Sequence, residues 1–181
     1  STTFANEEVQ AFYEKRRLKQ IPSTSLSYDP HCGSTAALLW KTFLGFFSDR
    51  DELREMMLWA DKIDSARYDS VDEAMFGENP ALRINFSLMR GDAEYSQFLA
   101  TQLHKHNLAY VSELPQVSTR FEEVNKALLR GLDQLRDRIF LLDDGLVAFD
   151  VDRADDAIVS RYAPYHFFPD ARYTIGLSRY R

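Results

Sequence analysis

A chain of 181 residues, 45% hydrophobic and 28% charged, is long enough to bury a core and too hydrophobic to be disordered. Its net charge of -6 at pH 7 excludes general electrostatic attraction to nucleic acid or anionic membranes, although a local basic patch could still bind a phosphate-bearing substrate. The single cysteine excludes a disulfide framework, so we expect a reducing, cytoplasmic setting. Apolar stretches such as residues 36–40 are far too short to cross a membrane.

The N-terminal part of the chain is predicted to form three helices. Asn6 and Ser34 are N-cap candidates for the first two, with a short extended piece at residues 26–28 between them. Ser48 or Asp49 can cap the third. The side chains at helical spacing are Val9, Phe12, Tyr13 and Arg16 in the first helix, Leu38, Leu39, Phe43 and Phe46 in the second, and Leu53, Met56, Met57, Ala60 and Asp64 in the third.

Three shorter helices and one long helix follow. The start and stop residues of the short ones are Ser70 and Gly77, Asn79 and Gly91, and Asp92 and His106. After Pro115 comes the clearest periodicity in the chain, which predicts a long amphipathic helix over residues 114–137 with one apolar stripe. The stripe consists of Val117, Phe121, Val124, Leu128, Leu132 and Leu135.

Beyond this helix the pattern becomes typical of β-structure. Residues 139–142 and 146–151 are apolar runs separated by Asp143, Asp144 and Gly145, which predicts a hairpin. Residues 173–177 alternate in polarity and predict a third strand. Because so few strands rarely make a stable sheet alone, we expect further strands beyond the C-terminus or pairing with a partner chain, for which a homodimer is one arrangement.

Two carboxylates near the end of the third helix are the most interesting candidate site. Asp61 and Asp64 are three residues apart, so both can face one point. The periodicity places Asp64 on the line of the apolar face, where a carboxylate needs a partner because burying it unpaired is costly. A hard cation such as Mg²⁺ or Mn²⁺ is one such partner. Taken alone, the residues favour the alternative, which is pairing with Arg54, Lys62 or Arg67, or plain solvation.

The other reactive side chains form no complete catalytic pattern. His104 and His106 are two apart on a helix and do not share a face, so a polar helix end is the better interpretation than a metal pair. His31 and Cys32 are adjacent, but no third group orients them as base and nucleophile. The arginines that border the last strand could equally bind phosphate or discourage aggregation of an edge strand. They are Arg172, Arg179 and Arg181.

Two segments carry a family resemblance. Residues 28–37, Tyr-Asp-Pro-His-Cys-Gly-Ser-Thr-Ala-Ala, and residues 60–66, Ala-Asp-Lys-Ile-Asp-Ser-Ala, resemble the DHH phosphoesterase superfamily, in its exopolyphosphatase-like branch related to oligoribonucleases. In that family a D-P-x-x-x-S-x-A segment opens a helix, and a later helix ends with a metal-binding Asp. Residues 85–89, the long helix, the Asp-Gly hairpin and residues 168–175 also match in order, so the resemblance covers most of the chain from Tyr28 onward.

The resemblance implies an α/β fold, with a predominantly helical first part joined by a long helix to the start of a small mixed α/β domain. Residues 1–113 would be the C-terminal part of a catalytic domain with a helical insert. Residues 114–137 would form the connecting helix, and residues 138–181 would begin a substrate-binding domain. The family's D-x-D and D-H-H motifs lie upstream of the matching segment, and its G-G-G-H motif lies downstream. The sequence, which has no initiator Met, therefore looks like the middle of such an enzyme.

The activity implied by the resemblance is hydrolysis of a phosphodiester, phosphomonoester or phosphoanhydride. Two Mn²⁺ or Mg²⁺ ions would activate a water and clamp the phosphate for an in-line displacement. Asp61, which follows the small residue Ala60, would be the catalytic metal ligand, with Asp64 as the alternative. Ser178 and Arg179 would contact the phosphate of a small molecule or short oligonucleotide. The rival hypothesis is a non-catalytic helical interaction module that acts through a partner or as an oligomer.

Overall fold

The computed structural model of the chain describes residues 11, 14–15, 29, 31–43, 51–152 and 156–179. The chain divides into two compact units, Ser1–Arg67 and Tyr68–Arg181, and each is described by itself. The predicted helix from Asn6 is described only at residues 11 and 14–15, which are helical. The extended piece at 26–28, the caps Ser48 and Asp49, and Phe46 lie outside the described residues. No described helix is both long and apolar enough to cross a membrane.

The described part of the first unit centres on two packed helices, α1 (Thr35–Thr42) and α2 (Asp51–Asp64). Ser34 caps α1 as predicted, because its Oγ accepts a hydrogen bond from the backbone N–H of Ala37 at 3.0 Å. Apolar side chains of both helices line a cavity of about 230 Å³. The prediction of an inner face through Leu39 and Phe43 is wrong as to burial: the two side chains are 50% and 44% exposed. Leu39 lines the cavity with part of its side chain, and among the described residues the packing of α1 on α2 leaves the rest exposed.

The second unit begins with five helices: α3 (Val71–Phe76), α4 (Pro80–Ser87), α5 (Ala93–Lys105), α6 (Leu108–Ser112) and α7 (Pro115–Arg136). A single 3₁₀ turn, Leu88–Arg90, extends α4 to Gly91. The predicted caps Ser70, Asn79 and Asp92 all accept backbone hydrogen bonds from their helices. Pro115 begins the long helix, whose buried residues are Val117, Phe121, Val124, Ala127, Leu128, Gly131 and Leu135. Five of the six residues of the predicted apolar stripe are therefore confirmed as buried, and the sixth, Leu132, is partly buried.

A three-stranded mixed sheet follows the long helix. Strands β1 (Ile139–Leu141) and β2 (Leu146–Asp152) pair antiparallel, and β3 (Tyr173–Arg179) pairs parallel to β2, in the order β1-β2-β3. The predicted hairpin is confirmed, with Asp144 and Gly145 at φ 62° and 75° in the left-handed region that such turns use. A short helix, α8 (Ala163–Phe167), lies in the connection between the parallel strands. The α/β fold class is thus confirmed.

The two faces of this sheet differ in burial. On the face towards α7, Val147 is fully buried and Ile139 is 8% exposed. On the opposite face the register aligns Phe140 with Ala148 and Ala148 with Ile175, and side chains there remain exposed. Phe140 and Ile175 are 59% and 54% exposed. The long helix therefore covers one face of the sheet and leaves an apolar face open among the described residues.

Candidate functional site

Asp61 lies in the last turn of α2 and joins that helix to the start of α1. Its side chain is 17% exposed. The hydroxyl of Ser34, at the N-cap of α1, donates to Asp61 Oδ1 at 2.6 Å, and the guanidinium of Arg67 pairs with Asp61 Oδ2. Both carboxylate oxygens are therefore engaged by groups that lie well apart in the sequence, and the carboxylate is held in one orientation.

A tight reversal at the end of α2 brings Arg67 over this carboxylate. Ala66 has φ 55°, a left-handed conformation that ends the helix, and the Arg67 N–H donates to the carbonyl of Lys62 at 3.0 Å. Arg67 Nε donates to the hydroxyl of Ser65 at 2.7 Å, while that hydroxyl donates to the backbone carbonyl of Asp61 at 2.5 Å. The guanidinium is thus held along one edge by the Ser65 hydroxyl and the Asp61 carboxylate.

Gly33 allows this close assembly. A Cβ placed on Gly33 would lie 3.2 Å from Asp61 Oδ1, 3.2 Å from Arg67 Nη2 and 3.3 Å from Ser65 Cβ. Each of these separations is shorter than an ordinary van der Waals contact for carbon, so a side chain at this position would push the three groups apart. In the sequence Gly33 stands directly before Ser34, the predicted cap. Its role depends on which atoms approach it, and composition or periodicity do not reveal that.

Asp29 and Lys41 form a second charged pair in the first unit. Lys41 Nζ lies 2.5 Å from Asp29 Oδ2, and the backbone N–H of His31 donates to Asp29 Oδ1 at 2.9 Å. The hydrogen bond from Lys41, then that from His31, lowers the pKa of Asp29 to about 2. Burial, followed by the charge of Asp29, raises the pKa of the Cys32 thiol. A raised pKa disfavours the thiolate form that a nucleophilic cysteine requires.

This pair predicts a pH dependence of stability. The pKa of Asp29 is lower in the folded protein than its ordinary value of 3.8, so its ionised form stabilises the fold above that value. This contribution is lost as the pH falls from 3.8 through about 2. We expect the stability difference between wild type and Asp29→Asn to shrink across this window in denaturation series. In Lys41→Met the carboxyl should titrate nearer its ordinary pKa by NMR, and an unchanged titration would contradict the assignment to Lys41.

The other predicted site residues are placed differently. The prediction that Asp64 lies on the line of the apolar face is wrong, because Asp64 is exposed. Asp61, one turn after Met57, continues the partly buried side of α2, whereas Asp64 is the last residue of the helix and reaches solvent. Ser178 and Arg179 belong to β3 in the second unit, where the structure describes their backbone. His104 and His106 are exposed at the end of α5, which fits a polar helix end.

The fit of this site to a metal ion can be tested on its donor atoms. Asp61 offers carboxylate oxygens, which hard cations such as Mn²⁺ and Mg²⁺ prefer, but both oxygens are engaged by Ser34 and Arg67. Among the residues that the structure describes, no group of three His, Cys, Asp or Glu side chains could hold a metal ion. These residues alone do not complete a metal site, and the candidate ligands in α2 remain Asp61 and, as the alternative, Asp64.

Comparisons with known proteins identify a fold. No family model and no curated protein matches the chain. Among solved structures, a pGpG-specific phosphodiesterase, PggH from Vibrio cholerae, matches with a TM-score of 0.67. The match covers 91% of this chain and 67% of that chain, at 20% sequence identity. The two proteins therefore share a fold over nearly the whole of the present chain, while most of their side chains differ.

Proposed function

We propose that this chain is part of a metal-dependent phosphoesterase of the DHH type that hydrolyses a phosphodiester in a short oligonucleotide. The observation that carries the proposal is the fold likeness to a pGpG-specific phosphodiesterase over 91% of the chain. The resemblance of residues 28–37 and 60–66 to DHH segments supports it independently, because it rests on sequence motifs and not on the fold. A shared fold does not fix chemistry, so the activity has to be measured.

Within this proposal Asp61 is the metal ligand that the chain contributes. The resemblance assigns the family's last metal-binding Asp to the end of a helix, and Asp61, which follows the small residue Ala60, lies in the last turn of α2. The ions, when bound, would supply a water activated at neutral pH and positive charge against the phosphate. The remaining ligands would come from D-x-D and D-H-H motifs outside the matching segment. Ser178 and Arg179 would contact the substrate phosphate.

The proposal predicts that the full-length protein, with the segments that would carry the remaining ligands, cleaves pGpG when Mn²⁺ is present. One hydrolysis of the internal phosphodiester should yield two molecules of GMP, which chromatography separates from the substrate. Treatment with EDTA should abolish the reaction, and added Mn²⁺ should restore it, because the water would no longer be activated without the ion. No GMP under either condition, from protein whose folding circular dichroism has confirmed, would contradict the proposal.

The second candidate is an interaction module without catalysis. It is favoured by the open apolar face of the sheet, where Phe140, Tyr173, Ile175 and Leu177 are all more than half exposed. This alternative predicts a stable oligomer and no binding of Mn²⁺. Light scattering over a range of concentrations, with calorimetric titration of Mn²⁺, distinguishes the two. A monomer at every concentration that binds Mn²⁺ in the micromolar range would exclude the module.

A further inference from the structure

We infer that Arg67 binds the substrate phosphate at the Asp61 site, and that Ser65 positions its guanidinium to do so. This inference rests on the proposed function. Beyond that function, it assigns a substrate-binding role to Arg67, a side chain of the first unit. From the sequence alone, Arg67 was a candidate partner for a carboxylate and nothing more.

Two contacts fix the orientation of the Arg67 guanidinium. Arginine carries five N–H donors in a planar fork. In this structure Nε donates to Ser65 Oγ at 2.7 Å, and Nη2 pairs with Asp61 Oδ2. These two contacts use one edge of the plane, so the group is fixed in orientation before any ligand arrives. The three remaining N–H donors, two on Nη1 and one on Nη2, make no hydrogen bond with the described residues.

The two side chains of this ion pair differ in exposure. The Arg67 side chain is 62% exposed, whereas the Asp61 side chain that it contacts is only 17% exposed. The free donors include the parallel N–H groups of Nη1 and Nη2, and this pair matches two oxygens of a phosphate group.

The backbone conformation at the end of α2 produces this arrangement. Ala66 takes the left-handed conformation, φ 55°, which a residue with a Cβ adopts at an energetic cost. That conformation places Arg67 back over the helix end. Gly33 has no side chain and so leaves room for the guanidinium, since a Cβ there would lie 3.2 Å from Arg67 Nη2. The left-handed conformation of Ala66 and the absence of a side chain at Gly33 thus both contribute to the position of the Arg67 guanidinium.

The test compares Arg67→Met and Arg67→Lys with a matched control, Arg54→Met. Arg54 is an exposed arginine in the first turns of the same helix, so its removal makes the same change of charge. We expect Arg67→Met to raise KM for pGpG and the Kd of pGpG, measured by calorimetry, by about 10- to 100-fold, the range for losing a charged hydrogen bond. Arg67→Lys should fall between, because it keeps the charge and loses the fork. Arg54→Met should match wild type.

A second readout separates substrate binding from a structural role. Because Arg67 occupies an oxygen of Asp61, its removal should leave Mn²⁺ binding by calorimetry as tight as in wild type or tighter. If Arg67 merely held the carboxylate in place, Arg67→Met would weaken binding of both Mn²⁺ and pGpG. That pattern would overturn the inference, as would equal Kd values for pGpG in wild type and Arg67→Met. Ser65→Ala should raise KM less than Arg67→Met does.

Failure of this inference and failure of the proposed function are distinguishable. If wild type cleaves pGpG and Arg67→Met has an unchanged KM, the function stands and the role of Arg67 is wrong. If wild type binds pGpG in an Arg67-dependent manner without cleaving it, the binding role stands and the enzymatic proposal fails. If wild type does not bind pGpG at all, both are wrong. Circular dichroism of each variant confirms that the fold is retained, with Arg67→Lys as the conservative variant.

Discussion

Replacement of Asp61 by Asn is expected to lower the rate of pGpG hydrolysis by more than about 100-fold, beyond what loss of an outer-shell partner costs a metal site. The amide keeps an oxygen that can accept the hydrogen bond from Ser34 Oγ, so the joint between α1 and α2 should survive. It loses the negative charge that a hard cation requires. The measurements are the initial rate with Mn²⁺ and the thermal unfolding midpoint of the same preparation.

Two other carboxylates of α2, Asp51 and Asp64, provide comparisons for this substitution. Asp51→Asn removes an exposed charge from the first turn of the helix and should leave the rate unchanged. Asp64→Asn tests the alternative ligand, since it removes a charge three residues from Asp61. If Asp64→Asn abolishes hydrolysis while Asp61→Asn retains it, the ligand assignment reverses. If both variants are fully active, neither carboxylate is a ligand.

Substitution of Gly131 by Ala is expected to destabilise the protein strongly, although alanine is the better helix former. Gly131 lies within α7, and a Cβ there would lie 2.0 Å from the carbonyl oxygen and 2.6 Å from the carbonyl carbon of Ile158. Helix propensity alone would make the change stabilising by about 1 kcal/mol. Overpacking against backbone atoms costs about 3 kcal/mol and therefore decides the sign. The net loss, about 2 kcal/mol after the gain in helix propensity is subtracted, corresponds to a fall in Tm of roughly 4–8 °C for a chain of this size.

The segment around Ile158 has little freedom to move away. The N–H of Ile158 donates to the carbonyl of Ala127 at 2.9 Å, one turn before Gly131. Arg90 Nη2 lies 2.6 Å from Asp156 Oδ1, and Arg130 Nη2 lies 3.3 Å from Asp156 Oδ2. Calorimetric unfolding measures the effect, with Glu122→Ala as an exposed control on the same helix that should change stability by less than about 0.5 kcal/mol. A rise in Tm for Gly131→Ala would contradict this packing.

Much of the candidate site could be anticipated from local sequence. The N-cap role of Ser34 follows from its residue type and its place before an apolar helix, and the structure confirms it. Asp61 stood out as a carboxylate near a helix end. The pairing with Arg67 was one alternative among several, because spacing along a helix does not show how the chain turns after it ends. The left-handed conformation at Ala66 selects that partner.

The second unit shows the same division. The long helix Pro115–Arg136 was readable because its apolar period is 3.6 residues and Pro marks its start. The parallel pairing of β2 with β3 could not be predicted from the sequence, since alternating polarity indicates a strand but not which strand pairs with it. Gly131 looked like an ordinary helix position, and its role appears only where the backbone of Ile158 approaches it.

The sequence by itself determined the elements: the caps, the long amphipathic helix, the hairpin and the α/β class. These depend on interactions between residues that are close along the chain, which residue type and spacing report directly. Only the tertiary structure decided the exposure of Asp64, the closing of Ser34 and Arg67 on Asp61, and the contact of Ile158 with Gly131. Those depend on distances between segments remote in sequence, and packing fixes such distances after the elements have formed.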